Sequence, residues 1–323
     1  VVYKNPMIII ICCVLIMITS RCLAMNTVRY RLKIAYDGSD FAGWQYQHKK
    51  RTVQGVLIST MRRRFNGHHI PTLGASRTDT GVHARGQIVQ ADLPMEVSGQ
   101  ELAYQLNKML PFDIRVISAE KAPEPQSWQK EQSLPWHCLV NCVGKRYSYK
   151  FATSDYPLDP LERRYRAHVT YQSIDFDLLE QILHRFIGEH DFRAFANTAH
   201  GIDLDARSTV RTIYSIHLER EENNPHNPYI NTQGFGTISI VLNGALYRMV
   251  RNIVGTSIAA ANPNFSKLTI DDISRLLSGI ETRKYNPAKA APAQGLCLDE
   301  VYYDSESNLP FFLEGREPFS CNN

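Results

Sequence analysis

From residue 29 the chain alternates apolar and charged positions: Tyr30, Leu32, Ile34 and Tyr36 interleave with Arg29, Arg31 and Lys33. That period of two predicts a half-buried strand. Asp37-Gly38-Ser39 turns the chain, and the period then changes. Val53, Val56, Leu57, Thr60, Met61 and Phe65 recur at helical spacing, with Arg62-Arg63-Arg64 at the end, where cations suit the helix dipole. Segments 70–73 and 87–93 predict strands on either side of a loop. Ser98 with Glu101 three residues on predicts a capping box. It opens a helix that carries Leu102, Leu106 and Met109 and stops at Pro111, since proline cannot continue it. A short strand is expected over 113–118. Segment 121–135, with Pro123, Pro125 and Pro135 among polar residues, reads as a linker.

The alternation then begins again. Tyr147 and Tyr149 lie on a strand-like period. Phe176, Leu179, Ile182, Leu183, Phe186 and Ile187 form a helical stripe closed by Gly188. Strands follow over 209–219 and 234–242. Leu246, Met249, Val250, Ile253, Val254, Ser257 and Ile258 make a second apolar stripe. Thr269 with Asp272 predicts another capping box, for a helix ending at Gly279, and 298–303 predicts the closing strand. The pattern is an α+β protein of two similar units: 26–120 and 136–306, joined by 121–135, with an apolar segment at 1–25 and a tail at 307–323.

Composition changes this picture little. Apolar residues make up 43% of 323, enough for a sizeable core, and the formal net charge is +4. That mild basicity suits an RNA partner without requiring one. Of seven cysteines, Cys12, Cys13 and Cys22 fall in the apolar segment and Cys138, Cys142, Cys297 and Cys321 are scattered, too sparse for a disulfide framework. His137, Cys138 and Cys142 cluster, but no second pair follows at zinc-site spacing, so buried thiols are expected and no metal. Residues 6–19 are uncharged, lie between Lys4 and Arg21, and are too short for a membrane span. Two readings stand for them. One is a signal or transit segment, which would direct the chain to an organelle, plastid or mitochondrion. The other is translated sequence upstream of a start at Met25, which leaves a cytoplasmic or nuclear protein. Stable membrane association of the mature domain is not expected.

Candidate chemistry centres on the run 75–86, Ala-Ser-Arg-Thr-Asp-Thr-Gly-Val-His-Ala-Arg-Gly. It displays Asp79 between cations on a loop between strands. Nearby arginines favour the charged form of a carboxylate, and a charged carboxylate can act as a nucleophile. The plainer alternative is an Asp that closes its own turn. Arg251 stands inside the second apolar stripe, where a cation is costly unless paired; the alternative is a snorkelling surface residue. Phe41, Trp44 and Tyr46 either stack on bases or anchor their loop. The chain carries no P-loop and no G-x-G-x-x-G, so no nucleotide cofactor is expected. Thr78 stands where a nucleophile elbow needs its second glycine.

Arg77-Thr78-Asp79-Thr80-Gly81-Val82-His83-Ala84 resembles the signature of the TruA-type tRNA pseudouridine synthases. Tyr36-Asp37-Gly38-Ser39, Gly43-Trp44-Gln45 and Thr52-Val53-Gln54 resemble that family's opening. Met249-Val250-Arg251-Asn252-Ile253-Val254-Gly255 resembles a second signature, and Ala291-Pro292-Ala293-Gln294-Gly295-Leu296 a closing one. The motifs run in order from about Arg29 to Tyr303.

The resemblance implies two ferredoxin-like halves with antiparallel sheets side by side around a basic cleft. It implies isomerisation of uridine to pseudouridine in the anticodon stem-loop of tRNA, at positions 38–40, by a homodimer that needs no cofactor. Asp79 would be the nucleophile, attacking either C1′ of the sugar or C6 of the base, and Arg251 its partner. Arg77 would be a wedge or intermediary in flipping the base. Tyr147 would lie on the uracil and assist proton removal. His83, Arg85, Arg62, Arg63 and Arg64 would contact the RNA. Leu139 stands where the family often has arginine and Cys138 where it has alanine, which puts any role of that arginine in doubt. Two alternatives remain open: the same chemistry at another tRNA position, and a non-catalytic tRNA-binding protein on the same fold.

Overall fold

The computed structural model describes residues 27–153, 158–169, 174–198, 208–221, 234–265 and 267–303. The expectations for 1–25, for Cys321 and for the tail lie outside these residues. The chain runs β1 (Val28–Tyr36), α1 (Val53–Arg64), β2 (Thr72–Gly74), β3 (His83–Leu93), α2 (Gly99–Met109) and β4 (Ile114–Lys121). A short helix α3 (Ser127–Glu131), with Gln129 buried, occupies the stretch read as a linker. Then come β5 (Cys142–Ala152), β6 (Ala167–His168), α4 (Phe176–His184), β7 (Gly188–Asp191), β8 (Val210–Arg220), β9 (Phe235–Leu242), α5 (Met249–Ala260), α6 (Ile270–Leu276) and β10 (Leu296–Tyr303).

The strands form one sheet in the order β4-β1-β3-β10-β5-β9-β8-β7, with β2 on β3 and β6 on β5. β1 to β4 stand as 4-1-3-2 with one helix in each crossing, which is the ferredoxin-like arrangement. β5, β8, β9 and β10 repeat it. On the main path every pairing is antiparallel except β3–β10, which is parallel and only two residue pairs long: Cys297 opposite His83 and Leu298 opposite Ala84. The remaining length of that β3 edge carries β2. The halves are therefore joined at a short seam.

Local signals made most of the elements. Tyr30, Leu32, Ile34 and Tyr36 are all buried on one face of β1, as their period requires. The Thr269–Asp272 capping box forms, with each side chain reaching the other residue's backbone N–H. The box expected at Ser98 does not form, and Ser98 makes no side-chain cap bond. A tertiary contact replaces it. The Tyr30 hydroxyl accepts from Val97 N–H at 2.8 Å and donates to the Val97 carbonyl, fixing the chain just before the helix. Glu101 is drawn along the helix to accept from the Gln105 amide.

Two residues pin the seam. A Cβ on Gly86 would lie 2.2 Å from the Asp299 carbonyl oxygen, so β10 approaches β3 only because this position has no side chain. His83 is buried and braces the seam with both ring nitrogens. Nδ1 accepts from Gly38 N–H at 3.0 Å. The Nε2 proton is shared between the carbonyls of Arg164, at 2.9 Å, and Gln294, at 3.2 Å. Asp37 Oδ1 also lies 3.2 Å from Nδ1. Burial lowers the His83 pKa, against the pull of the nearby Asp37 carboxylate.

Gly86→Ala should destabilise the protein by about 2–4 kcal/mol in urea unfolding, since backbone has to move to admit the methyl group. A second expectation concerns acid. A folded-state pKa below the unfolded value means that the unfolded chain takes up the proton first. The contribution of His83 is therefore whole above about pH 6.5 and lost as pH falls below it. Unfolding free energy measured from pH 7.5 to 5 should decline, and His83→Gln should be less stable at pH 7.5 but fall less steeply. His137, also lowered by burial, leaves a residual slope.

Candidate active site

The loop between β2 and β3 is held from three sides. Gln87, fully buried on β3, clamps Ser76: its amide nitrogen donates to the Ser76 carbonyl at 2.6 Å and its oxygen accepts from Ser76 N–H at 3.1 Å. The Thr78 hydroxyl shares a hydrogen bond with the Tyr36 hydroxyl at 2.8 Å. Trp44 N–H donates to the Thr78 carbonyl at 3.0 Å. Gly43, at φ +88°, lies so close beneath that a Cβ there would be 2.8 Å from the Thr78 oxygen. Asp79 closes a turn through its carbonyl, which accepts from Val82 N–H at 3.2 Å. Its carboxylate is left to face the other half.

There it meets Arg251. Nη1 of Arg251 lies 3.0 Å from Asp79 Oδ2, and both side chains are largely withdrawn from solvent, 13% and 15% exposed. The guanidinium is aimed by its other edge, where Nε donates to the Ala291 carbonyl at 2.8 Å. Ala291 N–H in turn donates to the Arg251 carbonyl at 2.9 Å. The cation in the apolar stripe is thus a paired one.

Tyr147, on β5, is buried, and its hydroxyl shares a hydrogen bond with Ser76 Oγ at 2.8 Å. Burial pushes the phenol up to about 12, with the Asp79 charge adding a smaller push and the Ser76 bond opposing it. The phenol therefore keeps its proton at neutral pH in this environment. Leu246, Met249 and Leu296 complete an apolar wall of the cleft. Arg77 and Arg248 are exposed at its edge. Arg248 is the residue before α5 and has left-handed backbone at φ 60°, a conformation that is costly for a residue with a side chain. Three guanidiniums thus surround one carboxylate, an arrangement suited to an anionic ligand.

Asp79, Arg77, Tyr147 and Arg251 are brought together. Other expected contacts are not in this cleft. His83 is buried, with both ring nitrogens bonded at the seam, and it lines a separate cavity rather than this cleft. Arg85 lies on the other face of the sheet, 3.5 Å from Asp299, beside a separate cavity with Ser148 and Lys150. Arg62, Arg63 and Arg64 are at the far end of α1, bonded to the Gly67 carbonyl, the Met109 carbonyl and the Gln105 side chain. Phe41 and Trp44 are buried and anchor their loop, whereas Tyr46 is 57% exposed. Leu139 lies outside the cleft and half exposed, its N–H directed to His137 Nδ1. Cys138 is a buried thiol that donates to the Leu73 carbonyl. Sequence reasoning assigned no role to Ser76, Gln87 or Arg248. Nothing in the spacing of β3, which carries several polar residues, marked Gln87 out.

A family model described as tRNA pseudouridine synthase matches residues 182–304, which include α5 and β10. tRNA pseudouridine synthase A of Latilactobacillus sakei is 37% identical over 278 residues, covering 86% of this chain and 99% of the relative. The protein of the same name from Lacticaseibacillus casei is 34% identical over 274 residues, 85% of this chain and 99% of the relative. That from Listeria innocua is 34% identical over 276 residues, 85% and 99%. Full-length likeness at this level, across both halves and the cleft between them, makes the chain a member of the tRNA pseudouridine synthase A family.

Proposed function

We propose that this chain isomerises uridine to pseudouridine in tRNA, with the Asp79 carboxylate as nucleophile. The observation that carries the reading is the 3.0 Å Asp79–Arg251 pair facing the Tyr147 side of one cleft. The reaction breaks the bond from C1′ to N1 of the base and forms one from C1′ to C5. The proton on C5 leaves and N1 gains one, so atoms and electrons balance without an oxidant, reductant or co-substrate. Asp79 begins it by attack on C1′, displacing the base with its electron pair, or by addition to C6. On the first route the carboxylate is displaced from C1′ when C5 takes that carbon; on the second it leaves C6 as the C5 proton departs, which restores the C5–C6 double bond. Arg251 keeps the carboxylate aimed.

The target uridine has to leave its stack to reach Asp79, and Arg77, exposed on the adjoining turn, is the candidate to fill the gap. The protonated Tyr147 ring supplies a flat wall for the uracil rather than a base. The anticodon stem-loop is the proposed target on family resemblance. A homodimer with one tRNA spanning both copies belongs to the same reading, and light scattering of the purified protein should return twice the chain mass.

Incubation of the purified protein with unmodified tRNA transcripts, followed by position-resolved pseudouridine mapping, tests the activity. Asp79→Asn should yield no product while binding tRNA within a few-fold of wild type; turnover by this variant would remove Asp79 from the role. In single-turnover reactions Arg251→Leu should be slower by about two orders of magnitude, because misdirection of a reacting group costs that much. Arg251→Lys should fall between, retaining charge but not the fork that also holds Ala291.

A further inference from the structure

Between Asp40 and Asp79 the chain has no acidic residue, yet it holds Lys49, Lys50, Arg51, Arg62, Arg63, Arg64 and Arg77. Fold places part of this charge along one groove outside the catalytic cleft. Lys50, Arg51 and Arg63 line it together with Tyr46, Ser59 and Pro111. Asp113 pairs with Arg51 at 2.8 Å. Lys50 and Arg63 have only neutral acceptors among the described residues, the Gln47 side chain and the Met109 carbonyl. The groove therefore carries excess positive charge.

Exposed rings accompany that charge. Tyr46 lies against Gly55 in the first turn of α1: a Cβ on Gly55 would be 3.2 Å from Cδ2 of the ring. The Cδ2 edge of the ring thus lies against the helix, and the residue is still 57% exposed. Phe112, 96% exposed, stands between the groove residue Pro111 and the Arg51 partner Asp113. Fixed aromatic faces among cations are the elements with which proteins hold nucleic-acid backbone and bases. An apolar partner would not need the cations, and a small anion would not need the rings.

The groove is also wired to the catalytic loop. Tyr46 N–H donates to Gln54 Oε1 at 2.9 Å, Gln54 N–H donates to the Trp44 carbonyl at 3.0 Å, and Trp44 N–H donates to the carbonyl of Thr78, next to Asp79. We propose that α1 and the loop before it form a second RNA-contact surface. Lys50 and Arg63 take backbone phosphates of the same tRNA whose uridine enters the cleft, and Tyr46 stacks on one of its sugars or bases. This rests on the tRNA-modifying reading above and adds to it a distinct anchoring site.

The test is a tRNA titration of single-turnover pseudouridine formation with wild type, Lys50→Glu/Arg63→Glu and Tyr46→Ala. The charge-reversed variant should need about tenfold more tRNA for half-saturation, and its log affinity should depend on log salt with a slope shallower by about two, one for each phosphate contact. Tyr46→Ala should raise half-saturation about fivefold or more, the worth of one stacked base. The saturated rate should stay within about twofold, since the catalytic groups are untouched. A measurement on wild type alone guards against misfolded variants: tRNA should protect the Lys50 amine from acylation, read by mass spectrometry. Half-saturation and salt slope equal to wild type, or a Lys50 amine equally reactive with and without tRNA, overturns the surface. A wild-type protein that makes no pseudouridine in any tRNA would instead overturn the underlying reading.

Discussion

The contact between Asp79 and Arg251 joins residues 172 positions apart, one from each half of the sheet. A nucleophile supplied by one half and a counter-cation by the other are useful only if the halves meet in a single register. The direct strand pairing at that junction is two residue pairs, too little to define it. The register is defined by what surrounds it. Gly86 admits the backbone at Asp299, the His83 ring bridges Gly38 to Arg164 and Gln294, and Ser76 meets the Tyr147 hydroxyl. Tyr165, from the second half, donates to Asp37 of the first at 3.0 Å. Each contact crosses the junction, and each involves a residue in or beside a recognisable motif.

The ion pair itself contributes little to holding the halves together. Withdrawing two charges from water offsets much of their attraction. What the pair provides is direction: Arg251 is fixed along its other edge by Ala291, so the carboxylate has one favoured position. The surplus of Arg77 and Arg248 over Asp79 leaves the cleft in electrostatic need of an anion, and the left-handed backbone of Arg248 is a local strain at the same edge. A cleft with a protonated tyrosine, an apolar wall and excess positive charge accommodates a flat neutral base attached to phosphates better than a free acidic metabolite.

Features encoded within a few residues were legible in the sequence. The period of β1, the Thr269 cap and the arginine in the apolar stripe of α5 needed only their neighbours, and each stands where it was expected. Ser98 shows the limit of such reasoning, because a hydroxyl from β1 does the work a local cap would have done. His83 shows another. Its motif suggested substrate contact, and its ring also meets carbonyls far along the chain, to which no spacing pointed. The β3–β10 junction left no pattern at all: two residue pairs have no periodicity to read, and parallel partners can be any distance apart.

The position of the nucleophile on a loop follows from what must reach it. Strand side chains such as Tyr147 form the buried wall of the cleft, and a carboxylate that meets a large polymer stands more accessibly on a loop above them. A free loop, however, would not hold it to the tolerance a reacting group demands. The chain meets both needs by hydrogen-bonding the loop to rigid neighbours: to β3 through the Gln87 side chain, to β1 through the Tyr36 hydroxyl, and to the start of α1 through the Trp44 backbone. The close approach of Gly43 leaves no slack in the last of these. The first turn of α1 and the catalytic loop are thus held in one fixed relation by the fold itself.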